Sequence, residues 1–68
     1  MLNTNKLKGA IASAGYTQKS VAEKLGLSKN TFNLKVNGHA NFTINEVDKI
    51  CDALGISDIS TKAEIFLA

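Results

Sequence analysis

The chain has 68 residues, of which 44% are hydrophobic, and a formal net charge of +2. This length suits one small domain over residues 1–68 that folds alone only marginally, and the hydrophobic content excludes a disordered chain. The presence of one cysteine and one histidine excludes an internal disulfide and a zinc cluster, so we expect no metal and no other cofactor. Because there is neither a long apolar run nor the apolar core of a secretory signal, we expect a cytoplasmic protein with no membrane partner.

Glycines separate the stretches that have helical apolar spacing. The glycines that follow such a stretch are Gly15, Gly26, Gly38 and Gly55. Glycine just past a helix ends it at little cost, because it accepts the left-handed conformation. No strand pattern is found, so the expected fold class is all-α, a compact bundle of five short helices.

The first predicted helix covers about residues 4–14, and its apolar side chains fall on one face. They are Leu7, Ala10, Ile11 and Ala14. The second predicted helix covers residues 18–25 and has Thr17 as its N-cap. Its inward-facing residues are Val21, Ala22 and Leu25.

The third predicted helix covers about residues 29–37, with Ser28 as its N-cap. Phe32 and Val36 are four residues apart and therefore share the inward face. The residues left on the outward side are Lys29, Asn30, Asn33, Leu34 and Asn37. This side is polar apart from Leu34.

A T-x-x-E capping box over residues 43–46 begins the fourth predicted helix. Its expected inner face consists of Ile44, Val47, Ile50, Cys51 and Leu54. On that face Cys51 is expected to be a buried small hydrophobe rather than a reactive thiol. A short fifth helix is expected from Ser60 or Thr61 to about Leu67.

The charges are unevenly distributed along the chain. Residues 1–40 have a net charge of +5, whereas residues 41–68 have a net charge of −3. Such a split predicts a basic face and an acidic back, although lysine-rich surfaces alone are weak evidence for nucleic-acid binding. All basic residues are lysines, so guanine can be recognised only by a point charge and not by the bidentate fork of arginine.

Residues 17–38, TQKSVAEKLGLSKNTFNLKVNG, have the spacing of a helix-turn-helix formed by helices 2 and 3. Ala22 is the small residue at the helix crossing, Gly26 suits the tight turn, and Phe32 and Val36 are buried anchors. Over about residues 5–56 the chain closely resembles the Cro/CI phage-repressor family, also called lambda-repressor-like or XRE-type. The matching residues are Gln18, Ala22, the Leu25-Gly26-Leu27-Ser28 turn, Phe32 and Asn37-Gly38.

The resemblance implies a sequence-specific transcriptional regulator, a phage or prophage repressor, that inserts its third helix into the major groove of double-stranded DNA. In the family, the positions of Lys29, Asn30, Asn33 and Leu34 include those that contact bases. Asparagine can pair with the N6/N7 edge of adenine, and Lys29 can donate to guanine. Leu34 fits a thymine methyl group; the alternatives are packing on a neighbouring loop or a scattered exposed leucine.

Other polar residues are candidates for contact with the DNA backbone. Gln18 is in the first turn of helix 2, where free N–H groups favour a phosphate, and the matching glutamine of the family is a phosphate ligand. The other candidates are Lys19, Ser28, Lys35 and Asn37, with His39 and Asn41 in the next loop. Each is by default a solvated residue, and Ser28 has the competing role of N-cap.

An enzyme is not expected, because the sequence offers no paired carboxylates, nucleophile–base set or phosphate-binding glycine loop. The alternative is an antitoxin-like or adaptor protein-interaction module, in which Leu34 would be an interface anchor. We expect a homodimer on a palindromic operator. Its surface is expected in the C-terminal part, where residues 65–68 are apolar; there Phe66 fits the core better and Leu67 the dimer.

Overall fold

The computed structural model describes residues 2–67, which form five helices and, within that range, no strand. The helices are α1 (Thr4–Ser13), α2 (Gln18–Leu25), α3 (Lys29–Val36), α4 (Ile44–Leu54) and α5 (Ile59–Phe66). The predicted all-α class and the five-helix bundle are confirmed. Met1 and Ala68, which end the predicted domain and the apolar tail, lie outside the described residues.

The residue just before each helix is an N-cap, whose side-chain oxygen accepts a backbone N–H of the first turn. These N-caps are Asn3, Thr17, Ser28, Thr43 and Asp58. The predicted N-caps of α2, α3 and α4 are thus confirmed. At their C-terminal ends, α1 and α3 are each one residue shorter than predicted. Because these bonds join residues only three positions apart, the start of a helix can be predicted from the local sequence.

The start of α5 differs from the prediction. The Asp58 carboxylate accepts the Thr61 backbone N–H at 2.9 Å and the Thr61 hydroxyl at 3.0 Å, so α5 begins at Ile59 rather than at Ser60 or Thr61. The prediction is wrong because three neighbouring residues can each act as an N-cap, and the charged oxygen of Asp58 is the strongest acceptor. Its hydrogen bonds from Thr61 lower the pKa of Asp58.

The core contains apolar residues from all five helices. It consists of Leu7, Ile11, Val21, Ala22, Leu25, Phe32, Val36, Ile50 and Ile65. Cys51 is also buried, and burial raises the pKa of its thiol, as expected for a small hydrophobe. Two predicted inner-face residues are wrong: Ala14 is exposed and Ile44 is 82% exposed. Each lies at the end of its helix, where no neighbouring helix covers it.

Phe42, which the sequence analysis did not single out, connects the core to the C-terminal helix. The centre of its ring is 5.9 Å from that of Phe32 and 6.3 Å from that of Phe66, both in edge-to-face geometry. Phe66 is half-buried against the core, as expected. The loop between α3 and α4 is therefore held by an aromatic contact on each side.

None of the helices between residues 2 and 67 is long and apolar enough to cross a membrane. Over the same range, no three His, Cys, Asp or Glu side chains lie together in a way that could hold a metal ion.

The turn after α2 gives a test of backbone conformation. Gly26 has a φ of +71°, and a Cβ there would meet no atom within 4 Å, so Gly26→Ala is expected to lower the free energy of unfolding by about 1–2 kcal/mol through conformation alone. Gly9 has equally open space but lies inside α1, so Gly9→Ala should raise that free energy by about 0.5–1 kcal/mol. Denaturant unfolding followed by circular dichroism measures both, and shifts of the same sign would contradict this account of the turn.

Candidate nucleic-acid interface

Helix α2 begins with a reciprocal capping box. The Thr17 hydroxyl accepts the Ser20 N–H at 3.1 Å, and the Ser20 hydroxyl accepts the Thr17 N–H at 2.9 Å. The N–H groups of Gln18 and Lys19, between these two, have no carbonyl partner within the helix. The first turn of α2 therefore presents two donors at the positive end of the helix dipole, beside two side chains predicted to contact phosphate.

Three residues connect α2 to α3. The Gly26 N–H donates to the Glu23 carbonyl at 3.1 Å, and the Leu27 N–H donates to the Ala22 carbonyl at 2.9 Å. Leu27 is half-buried against the core. Ser28 then caps α3. Because each residue of the turn is bonded or packed, the two helices are held at one relative orientation.

The inner side of α3 is anchored and its outer side is open. Phe32 and Val36 are fully buried, whereas Leu34 is 52% exposed. A shallow depression of about 290 Å³ on the outer side is lined by Asn30, Asn33, Leu34, Asn37 and His39. The structure thus brings together three of the four predicted base-contacting residues. The fourth, Lys29, is exposed at the first position of the helix and does not line the depression.

The C-terminal end of α3 is held by bonds from several directions. The Thr4 hydroxyl of α1 donates to the Val36 carbonyl at 2.8 Å, and the Asn37 amide donates to the Asn33 carbonyl at 2.9 Å. Thr4 has no signal in the sequence, because it lies 32 residues before its partner. Asn37 has a structural role in addition to its predicted contact with the DNA backbone.

An ion pair joins α3 to α4. The Lys35 ammonium lies 2.6 Å from the Glu46 carboxylate, and the two side chains are only 13% and 14% exposed. The same carboxylate oxygen accepts the Thr43 N–H at 2.9 Å. Hydrogen bonds from Lys35 and then from Thr43 lower the pKa of Glu46. The structure therefore places the Lys35 ammonium against α4, and a contact of Lys35 with phosphate stays a prediction.

Ser28 is likewise engaged within the protein. Its hydroxyl accepts the Thr31 N–H at 3.1 Å and donates its one proton to the Thr31 hydroxyl at 2.9 Å. A phosphate could accept from Ser28 only if this proton turned away from Thr31. Gln18 is half-exposed and Lys19 is exposed, so both remain accessible.

A family model described as a Cro/C1-type HTH DNA-binding domain matches residues 6–60 of the chain. The match includes α2, the turn and α3. No significant match was found among curated proteins or among solved structures.

The pair between Lys35 and Glu46 gives a test by double-mutant cycle. Lys35→Met and Glu46→Gln should each lower the free energy of unfolding at neutral pH by about 1–3 kcal/mol, because each leaves one poorly hydrated charge without its opposite charge. The double variant should lose less than the sum of the two. The exposed pair of Lys6 and Glu64, at 3.3 Å, is the control, and its cycle should give about 0–1 kcal/mol.

The same pair predicts a difference in acid stability. Because the pKa of Glu46 is lowered from its ordinary value of 4.5, its contribution is present above that value and is lost as the pH falls through the folded-state pKa. Wild type should therefore lose more stability in this acid range than Glu46→Gln, while losses from Asp58 are common to both. Parallel pH profiles of the two proteins would contradict the pairing.

Proposed function

Since the chain belongs to the family of Cro/C1-type HTH DNA-binding domains, we propose that it is a sequence-specific transcriptional regulator, a repressor of the phage type, that acts as one DNA-binding domain. The observation that carries the proposal is the outer side of α3, where Asn30, Asn33 and Leu34 line one depression while the opposite side is fully buried. A buried anchor and an open polar face are what a helix needs to enter the major groove. The proposed ligand is DNA and no reaction is involved, so we expect a cytoplasmic, non-catalytic protein.

We propose that Lys29, Asn30, Asn33 and Leu34 contact bases. The amides of Asn30 and Asn33 present a donor and an acceptor, the pattern that matches the N6/N7 edge of adenine. Leu34, which is exposed and lines the same depression, fits the methyl group of thymine. Lys29, exposed at the start of the helix, can donate to guanine O6 or N7. With no arginine in the chain, this set favours an operator rich in A·T pairs.

For the DNA backbone, we propose contacts from Gln18 and Lys19 at the start of α2, and from Asn37 at the end of α3. Both ends present groups that suit phosphate oxygens. Ser28 contributes only if its proton leaves Thr31. Lys35 is also a proposed backbone contact, and it would have to leave its ion pair with Glu46 at 2.6 Å to bind a phosphate.

One copy offers few base contacts, so useful affinity requires two. We propose a homodimer that binds a palindromic operator with half-sites about one helical turn apart, because the symmetry of such a site matches that of a two-fold dimer. The apolar residues toward the C-terminus are the expected surface, and Leu67 is 77% exposed.

One observation also favours the alternative, an antitoxin-like or adaptor module that binds protein. Leu34 is an exposed leucine on an otherwise polar face, and it would serve as an anchor in such an interface. The asparagine amides in the same depression favour DNA as the ligand. In a contact with an apolar protein surface they would be buried without hydrogen-bond partners, which would weaken that contact.

Selection of bound DNA from a random library tests the proposed function. Wild type should enrich one symmetric sequence, and Asn33→Ala should lose information at one symmetric pair of positions, with about 1–3 kcal/mol less discrimination there. The control is Asn45→Ala, which removes an exposed amide from α4 and should leave the selected sequence unchanged.

Affinity for the selected duplex should also fall steeply with salt. A plot of the logarithm of the association constant against the logarithm of the salt concentration should have a slope of about −0.9 for each phosphate that is neutralised. Failure to enrich any sequence, together with binding that is insensitive to salt, would favour the protein-binding alternative.

Leu34→Ala separates contact with DNA from packing. Because the side chain is 52% exposed, the melting temperature should be nearly unchanged, while operator affinity falls and the preference at one A·T pair weakens. Leu25→Ala is the comparison: that leucine is 7% exposed, so its loss should cost about 2–5 kcal/mol of stability and lower the melting temperature markedly. A large drop in melting temperature for Leu34→Ala would show that the residue belongs to the core.

A further inference from the structure

Three exposed large apolar residues lie around one open groove between α4 and α5. Ile44 is 82% exposed, Ile59 is 81% exposed and Leu67 is 77% exposed, and all three line a groove of about 970 Å³. Phe42 and Phe66, both half-buried, also line it. We call this surface the α4–α5 groove. Such a concentration of exposed apolar side chains is typical of an interaction surface rather than of solvent-exposed protein.

Folding of one copy does not explain these residues. Ile44 and Ile59 are the first residues of their helices, where the caps at Thr43 and Asp58 provide the stabilising bonds. A β-branched residue has no advantage at an exposed helical position. The isoleucines therefore add apolar area outside the core.

The charges of the α4–α5 groove are of both signs. Asp48 of α4 and Lys62 of α5 both line it, and neither forms an ion pair with any group among residues 2–67. In a two-fold interface contacts are reciprocal, so if Asp48 meets the partner's Lys62, then Lys62 also meets the partner's Asp48. An acidic and a basic residue on the same patch can then pair twice, whereas a partner of a single charge sign would repel one of them.

We propose that the α4–α5 groove binds a second copy of this chain, with Asp48 of each copy facing Lys62 of the other and the exposed isoleucines packed between them. The proposal rests on the proposed function in that it names the dimer surface, and it extends that surface from the C-terminal tail to the start of α4. Because self-association does not require DNA, the proposed dimer surface and the proposed binding of DNA are tested by separate measurements.

This surface adjoins the end of α3. Leu2, Thr4, Asn37 and Gly38 also line the α4–α5 groove. The Thr4 hydroxyl holds the Val36 carbonyl at 2.8 Å, so a residue that lines the groove also fixes the last turn of α3. A copy bound in the groove therefore sets the position of one α3 relative to the other, which is what a fixed half-site spacing requires.

A charge exchange tests the proposal by sedimentation equilibrium without DNA. Asp48→Lys alone and Lys62→Asp alone each place like charges opposite one another at two contacts, so each should weaken self-association at least about tenfold. An equimolar mixture of the two variants restores both opposite-charge contacts, and it should form heterodimers at least as readily as wild type forms homodimers. Asp48 is exposed and Lys62 is half-exposed, so neither substitution alters the core, and circular dichroism verifies that each variant is folded.

Two further variants complete the design. Asp52→Lys changes the same charge on the same helix but lies outside the α4–α5 groove, so self-association should be unchanged. Ile59→Asn removes exposed apolar area and should weaken self-association without lowering the melting temperature.

Several results would overturn the proposal. They are a wild type that stays monomeric at millimolar concentration, single charge variants that associate like wild type, and a mixture that associates no more than its components. A monomer that still selects a specific DNA sequence would remove both the interface and the homodimer, and would leave only sequence-specific DNA binding by α3. A monomer whose Ile59→Asn variant loses DNA affinity would instead assign the groove to the DNA complex.

Discussion

The arrangement of this small bundle depends on the packing of the Phe32 ring in the core. Phe32 is fully buried together with Val36 one turn later, and its ring meets Phe42 edge to face. Because two anchors on one side of a short helix prevent it from rotating, the opposite side of α3 must face outward. The outward residues of α3 thereby form a defined surface, which they would not do on a helix that could rotate.

Polar contacts also hold the C-terminal end of the same helix. One comes from α1, through the Thr4 hydroxyl on the Val36 carbonyl, and one from α4, through Glu46 on Lys35. Both partners are remote from α3 in the chain, and the Glu46 carboxylate also caps its own helix. The orientation of α3 is therefore linked to the integrity of two other helices, which suits the proposed role of α3 in placing side chains precisely against bases.

The two open surfaces of the molecule differ in chemistry. The depression on α3 has amides and one leucine, whereas the α4–α5 groove has isoleucines, aromatic edges and one charge of each sign. The first is the proposed contact with base edges, and the second is the proposed contact with another copy of the chain. Asn37 lines both, so the two surfaces meet at the end of α3, and binding at one is placed to influence geometry at the other.

By itself the sequence determined the five helices, most of their caps, the turn at Gly26 and the outward residues of α3. These depend on bonds and spacings within about five residues, which residue types reveal directly. The tertiary structure alone decided that Lys35 pairs with Glu46, that Thr4 supports α3, and that the apolar residues of α4 and α5 share a groove. Those contacts join residues distant in the chain, and their distances exist only after all five helices have packed.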